Sequence, residues 1–363
     1  MTPAHPLPDL HARDGAALAG DGIPLHYGDR RGEYETALSA AVLMDRSHEG
    51  RLRLDGRDRL AIPHRLSTNA LEALPDGGCA PTIFTNPNAR ILDRVTVCRR
   101  GEAALMLTEP GRGEAVTAHL RRSIFFNDDL RLSDLRPAAR QFVLIGPRAA
   151  AVMAQLGAAV DPLTACDLTL AGTVVTVLRD KSLGGDPAGD LWRLIVPEAA
   201  AAQVWTAVRA VGAHEGLRPA GSLTYHALRV RAGRPGVGAE LSVEYLPLEV
   251  GLWDEISFTK GCYVGQEIIA RMESRRRLAR TIVRVRLEGV ADAPATPAAL
   301  RVEGREVGKL TSAVVTPRGD SLGIAIVRLA HAVPGAALQI GESGASAHIL
   351  DRAGVQPDLQ AEG

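Results

Sequence analysis

The sequence predicts an α+β protein that gives way, after about residue 275, to a small all-β barrel. Up to that point, stretches with helical spacing alternate with stretches of strand spacing. Beyond it, residues 280–287 alternate strictly, and short strands punctuated by Gly and Pro run to His348 with almost no helical period. A chain of 363 residues is too long for one simple core, so two or three packed domains are expected. The boundary falls at 275/276, leaving a two-lobed α+β region over 1–275 and a barrel over 276–363.

The elements follow in order. Residues 1–30, rich in Pro, Gly and charge, read as a loose arm. Tyr34, Ala37, Leu38, Ala41 and Val42 then recur at helical spacing. Residues 51–55 alternate as a short strand and turn at Asp55-Gly56. Residues 82–85, 90–98 and 103–108 read as a three-strand meander, with turns at Asn86-Pro87-Asn88 and Arg99-Arg100-Gly101. Gly146-Pro147 opens a helix that Gly157 closes. Strands follow at 173–179 and 191–196, then a helix over 198–211 with Val204, Trp205, Val208 and Val211 on one face. No internal repeat stands out.

Composition narrows the function classes. Forty-two basic and 42 acidic side chains cancel, which argues against direct nucleic-acid binding. No run of 18 apolar residues exists, and the first ten residues lack the layout of a signal peptide, so a cytoplasmic location away from membranes is expected. Cys79, Cys98, Cys166 and Cys262 form no C-x-x-C pair. In a cytosolic chain this argues against a disulfide framework and against a self-contained zinc or cluster site.

One segment is rich in chemistry: Phe258-Thr-Lys-Gly-Cys-Tyr-Val-Gly-Gln-Glu-Ile-Ile-Ala-Arg-Met272. A loop with Gly261 and Gly265 feeds a helix whose apolar positions include Ile268, Ile269 and Met272. Cys262 is expected at or just before the helix N-terminus, beside Lys260, where dipole and ammonium both favour thiolate. Such a thiolate can serve as nucleophile, redox-sensitive group or one ligand to a cluster shared with a partner. Gln266 and Glu267 are expected to cap the free backbone N–H groups. The plainer reading is a tight loop-to-helix junction with a buried, inert cysteine.

Lys260 through Glu267, with Gly261, Cys262, Tyr263, Gly265 and Gln266 between, resembles the K-G-C-[FY]-x-G-Q-E signature of YgfZ-type folate-binding proteins in the glycine-cleavage T-protein superfamily. The likeness extends from about residue 25 to 340. Residues 229–240 and 246–252 resemble the R-x-x-x-G-x-P…E…P-x-E-x-G-L block, and 44–51 resemble D-x-S-H-x-G-R. Thr68-Asn69, residues 91–95 and residues 308–312 resemble further segments in family order. The resemblance implies a T-protein-like multi-lobed folate-binding fold closed by a C-terminal β-barrel. It implies a tetrahydrofolate-binding accessory factor that supports iron–sulfur assembly or repair in client enzymes, tRNA-modifying enzymes among them, through Cys262. The alternative is a folate-dependent aminomethyl or one-carbon transferase of the T-protein type, resting on Asp93.

Departures favour the accessory branch. Where the T-protein has G-Y-T-G-E and a following glutamate that helps to hold the pterin, this chain has Asp180-Lys-Ser-Leu-Gly-Gly-Asp186, with Trp192 and Arg193 nearby. Its D-D pair is here Asp93-Arg94. The matched positions imply folate contacts: Arg229 to a glutamate carboxylate, Tyr245 and Trp253 to the rings, Glu249 and Asp93 to ring donors. Each has a structural alternative. Arg229 can pair with Glu240 or Glu244, the aromatics can be core, and Asp93 can be an edge-strand charge. Arg271, Arg275, Arg276, Arg277 and Arg280 read as a solvated helix end, or as a site for a polyglutamate tail or an acidic partner. His48 is expected to fix local structure by a hydrogen bond.

Overall fold

The computed structural model describes residues 7–181, 183, 189–342, 344–358 and 360–361. The chain forms two compact units, one of Met1–Ile62, Leu71–Ala80 and Thr96–Tyr225, the other of Pro63–Ala70, Pro81–Val95 and His226–Gly363. No helix among the described residues is long and apolar enough to cross a membrane.

The first unit is built on a six-stranded sheet. Its spatial order is Thr164–Leu170, Thr173–Asp180, Asp190–Pro197, Ala139–Gly146, Val42–Asp45 and Arg218–Pro219, with only the last pairing parallel. Every second strand residue points to one face, so Phe142 and Leu144, Val175 and Val177, and Trp192 and Leu194 converge on one core. Helix Ala201–Gly212 covers that face with Val204, Trp205 and Val208, while Val211 is only half-buried. Trp205 meets Phe142 edge to face at 5.1 Å, the arrangement that aromatic quadrupoles favour.

Two expectations fail here. The N-terminal arm is not loose: helix Leu7–Arg13 buries Leu7 and His11, four residues apart on one face. His11 stacks edgewise on Trp205 at 4.7 Å, bonds Asp45 at 3.2 Å and lies 2.9 Å from the Tyr27 hydroxyl. The next helix, Arg30–Ser39, starts at Asp29, whose side chain accepts from Gly32 N–H at 2.8 Å, and it stops before Ala41. Val42 begins a strand instead, as its β-branch prefers.

The predicted meander is present as Cys79–Thr85, Ile91–Arg100 and Ala103–Pro110, continued by Glu49–Asp55 and Arg131–Asp134 in one sheet. Asp93 therefore sits on an interior strand and is buried, which overturns its reading as an edge-strand charge. Cys79 and Cys98, on neighbouring strands with Cα atoms 4.0 Å apart, are joined in a disulfide, against the expectation of unpaired thiols.

In the second unit, six antiparallel strands close a barrel in the order Arg280–Glu288, Ser321–Arg328, Arg305–Val315, Ala298–Val302, Ala337–Ile340 and Ser346–Arg352. Alternation decides both faces of its first strand. Val283, Val285 and Leu287 fill the barrel core, whereas Ile282 joins Ile324, Ile326, Val230, Tyr245 and Leu252 in a second cluster outside it.

Candidate functional site

Cys262 is exposed, on a loop that the fold holds firmly. Lys260 turns its ammonium into the segment 63–70 and donates to the carbonyls of His64, Ser67 and Asn69. Ser257 N–H donates to the Thr68 carbonyl at 3.0 Å, and the Thr85 hydroxyl donates to the Val264 carbonyl. Gly265 (φ +83°) packs its Cα against backbone, where a Cβ would come within 2.8 Å of both Ala89 Cα and the Asn86 carbonyl oxygen. Only glycine meets both demands.

This geometry corrects the predicted junction. Helix Gln266–Arg275 begins four residues after Cys262, with Gly265 as its N-cap, and among the described residues no side-chain bond from Gln266 or Glu267 closes the loop. Lys260 is a clamp on three carbonyls rather than a charge reserved for the thiol. The cysteine is not buried and inert either. Of the helix's apolar residues Ile269 is buried, with Ile268 and Met272 partly buried on the same cluster as Tyr263, Trp253 and Leu246.

The residues matched to folate contacts lie in the second unit, and each is held by neighbours there. Arg229 pairs with Glu240 at 3.1 Å and donates to Ser312 at 3.0 Å and the Arg234 carbonyl at 3.0 Å. Glu249 is buried, accepts from Leu246 N–H at 3.0 Å and pairs with Arg280 at 3.1 Å and Arg90 at 3.5 Å. Arg280 also lies 5.2 Å from the Tyr245 ring centre, so the fold gathers Tyr245 and Glu249 around one guanidinium. Burial pushes the Tyr245 hydroxyl well above its usual pKa. Trp253 donates its indole N–H to the Leu248 carbonyl at 3.1 Å. Beside Asp93, Arg94 forks onto Glu255 through two 2.7 Å bonds, both partners buried.

The first unit holds a charged cluster that the sequence reading missed. Glu49, Arg46, Arg193 and Asp180 are none more than 6% exposed. Glu49 accepts from Arg46 at 2.8 Å, from Gln141 and from Arg193, while Arg193 also donates to Asp180 at 2.7 Å. Burial alone would raise the Glu49 pKa, but Arg193 and Arg46 bring it down to about 2. Burial disfavours the Arg193 charge, and Glu49 with Asp180 outweighs it. Tyr225 lies flat on Arg46, its ring centre 3.8 Å from the guanidinium carbon. Around this cluster Gln141 Oε1, His48 Nδ1 and Arg51 Nε are out of water with no hydrogen-bond partner. His48 thus lacks the expected bond at that nitrogen, and burial lowers its pKa, leaving the ring neutral. The available signal was the placing of Arg193 in an otherwise apolar run over residues 191–196; Glu49, in a strand that also holds Arg51, Arg53 and Asp55, carried none. Of the divergent segment after Arg179, Ser182 and residues 184–186 lie outside the described residues.

Among the described residues no three of His, Cys, Asp and Glu are placed to hold a metal ion. The second unit thus presents one accessible thiol on a fixed loop, able to act as a nucleophile, as a redox group or as a single ligand shared with another protein.

The GCVT N-terminal domain family matches residues 22–260, and the CAF17 C-terminal beta-barrel domain family matches residues 275–354. Over 348 residues the chain is 28% identical to a chloroplastic protein of Arabidopsis thaliana named as a transferase, covering 93% of this chain and 77% of that one. The aminomethyltransferase of Saccharopolyspora erythraea is 29% identical over 357 residues, covering 93% and 94%. That of Streptomyces coelicolor is 30% identical over 346 residues, covering 91% and 90%. Glycine cleavage system aminomethyltransferase T from Bartonella henselae aligns with a TM-score of 0.81 at 20% identity, over 96% of this chain and 97% of that one, which shows the fold. The T-protein-like architecture with a closed C-terminal barrel is therefore the one that the resemblance implied. The chain belongs to the GCVT N-terminal domain family, as a CAF17/YgfZ-type member of the GcvT-like superfamily.

Proposed function

We propose that the protein is a tetrahydrofolate-binding accessory factor that supports assembly or repair of iron–sulfur clusters on client enzymes, tRNA-modifying enzymes among them, through the thiol of Cys262. The observation that carries this reading is an exposed cysteine on a loop clamped by Lys260 and Gly265. Such a loop offers sulfur to a partner at low ordering cost. The cluster itself is cargo, since among the described residues no other ligand set stands ready.

Folate fits the chain in donor and acceptor character. Gln141 Oε1 and a neutral His48 ring offer acceptors without partners beside Glu49, and a pterin edge presents N–H and amino donors. Tetrahydrofolate, when bound, supplies a carrier for one-carbon units. In this reading Arg229, Tyr245, Glu249 and Trp253 shape the second unit through the partners already described, and Asp93 is an acid able to accept from a folate donor. The protein is expected in the cytoplasm.

Two measurements test the reading. Calorimetric titration with tetrahydrofolate should give equal affinities for wild type and Cys262→Ala. In a deletion strain Cys262→Ala should fail to restore iron–sulfur enzyme activity; full restoration would end the proposal. The similarity to aminomethyltransferases over nine-tenths of both chains supports a second reading, transfer of an aminomethyl or other one-carbon unit. That reading predicts methylene-tetrahydrofolate formation lost in Asp93→Asn and kept in Cys262→Ala.

A further inference from the structure

Strand Cys79–Thr85 ends its five-stranded sheet, with Ile91–Arg100 as its one neighbour there. An end strand pairs along one edge only, and Pro81 within it has no N–H to donate. The Cys79–Cys98 disulfide adds a covalent tie to that neighbour at the strand's first residue. The proposed function makes no use of this bond.

The same strand carries the segment that Lys260 clamps. Thr68 N–H donates to the Ile83 carbonyl at 3.0 Å, and Ile83 N–H donates back to the Thr68 hydroxyl at 3.1 Å. Asn69 donates its backbone N–H to the Thr82 hydroxyl and its amide N–H to the Pro81 carbonyl, each at 2.8 Å. Ser67 and Asn69, held in this way, present two of the three carbonyls that Lys260 grips. At the strand's far end the Thr85 hydroxyl donates to the Val264 carbonyl, beside Cys262 in the loop. Both supports of the Cys262 loop therefore hang on one extended strand, at positions just beyond Cys79.

Cys79 and Cys98 are buried in an apolar cluster with Leu105 and Ile195, and Leu135 packs on its edge. Those last three residues line a cleft of about 520 Å³, so solvent reaches the border of that cluster. Local opening of an end strand then brings sulfur within reach of a small thiol. In the cytoplasmic location proposed above, thiols keep such bonds exchanging, which suits a redox sensor better than a permanent staple.

We infer that the Cys79–Cys98 disulfide is a redox-sensitive lock on the seat of the Cys262 loop, closed when oxidised and loosened by a small dithiol. Its purpose rests on the accessory-factor reading, since it sets how firmly Cys262 is held out to a partner. In the opening reaction one thiolate of the reductant attacks one protein sulfur and forms a mixed disulfide. The other cysteine leaves as a thiolate and takes up a proton. The reductant's second thiolate then displaces the remaining protein sulfur. Two electrons and two protons end on Cys79 and Cys98, and the reductant leaves as a cyclic disulfide.

Peptide-resolved mass spectrometry on the full chain tests this, before and after excess dithiothreitol under nitrogen. Thiol counting should give two in the protein isolated in air, Cys166 and Cys262, and four after reduction. Reduction should accelerate hydrogen exchange over residues 67–69 and 262–265, and maleimide labelling of Cys262, by about tenfold or more. The barrel strands should keep their protection, and oxidised glutathione should restore the slow rates. Cys79→Ser/Cys98→Ser should show the fast rates in both conditions; the wild-type comparison stands without it if that variant fails to fold. Four thiols in the protein isolated in air, or a disulfide that resists dithiothreitol until the chain unfolds, would overturn the inference. So would unchanged rates around Cys262, or acceleration throughout the barrel. No readout involves iron–sulfur activity, so failure of the lock and failure of the thiol's role give separate results.

Discussion

In the first unit, Glu49, Arg46, Arg193 and Asp180 lie out of water and every charge has its counter-charge. On and just past helix Gln266–Arg275 in the second unit, Arg271, Arg275, Arg276 and Arg277 stand in water with no bonded counter-charge among the described residues. The contrast separates two uses of the same residue types. A buried arginine carries a large desolvation cost, so its partners fix its position, and removing one partner leaves a stranded charge. An exposed unpaired arginine costs folding little and contributes little to it, so its use lies in what it can meet. The first cluster should therefore respond in stability, and the second in binding.

The largest effect should come from breaking the buried cluster at its centre. Glu49→Ala removes the acceptor shared by Arg46, Gln141 and Arg193, and should destabilise the fold by roughly 3–5 kcal/mol. Urea unfolding should show a lower midpoint at similar slope. Wild-type-like stability would mean that solvent reaches the two guanidinium groups.

Acid should reproduce part of that loss. The folded-state pKa of Glu49, about 2, lies below its ordinary value of 4.5. The associated stability is thus fully present above pH 4.5 and is lost as pH falls towards 2, for a total of roughly 3 kcal/mol. Glu49→Gln cannot titrate there, so the stability difference between wild type and Glu49→Gln should shrink steadily across that window. A constant difference from pH 5 to pH 2 would show that the carboxylate is not the titrating group.

The two regions were also unequally legible. The barrel, the meander and most helices follow from local periodicity, which the sequence displays directly, as at residues 280–287. The motif around Cys262 was visible, but its geometry was not. Whether Lys260 points at a thiol or at the carbonyls of His64, Ser67 and Asn69 depends on a segment nearly 200 residues away. Glu49 and Arg193 are 144 positions apart, and nothing local says that two charges in separate strands will meet. The N-terminal arm was misread for a related reason. Its helix is short and rich in breakers nearby, and it is held by tertiary contacts of Leu7 and His11 rather than by propensity.

An intermediate effect is expected at the clamp between these extremes. Lys260→Met keeps the aliphatic stem but leaves three carbonyls without their donor, for a loss of roughly 1–3 kcal/mol. The change should be local. Hydrogen exchange of residues 257–265 and 63–70 should accelerate, while the amides of the barrel strands stay protected. Uniform acceleration across the unit would show that the clamp contributes to global stability instead.

The smallest effect, and the one of opposite sign, should come from the arginine cluster. Arg276 caps its helix at φ +47°, in the left-handed region that an L-residue with a Cβ enters at a cost of roughly 1 kcal/mol. Among the described residues its exposed side chain makes no bond to offset that cost. Arg276→Gly relieves the strain but adds entropy to the unfolded chain, so the net change should be a stabilisation of about 0.5 kcal/mol. Arg275→Ala, one residue earlier in an ordinary helical conformation, should change stability by less than about 0.5 kcal/mol. A rise in thermal midpoint for Arg276→Gly alone would show that an arginine is kept here despite the backbone's preference. A fall would mean that its side chain contributes packing to the folded state, which would place Arg276 with the buried cluster as a residue that the fold uses for itself.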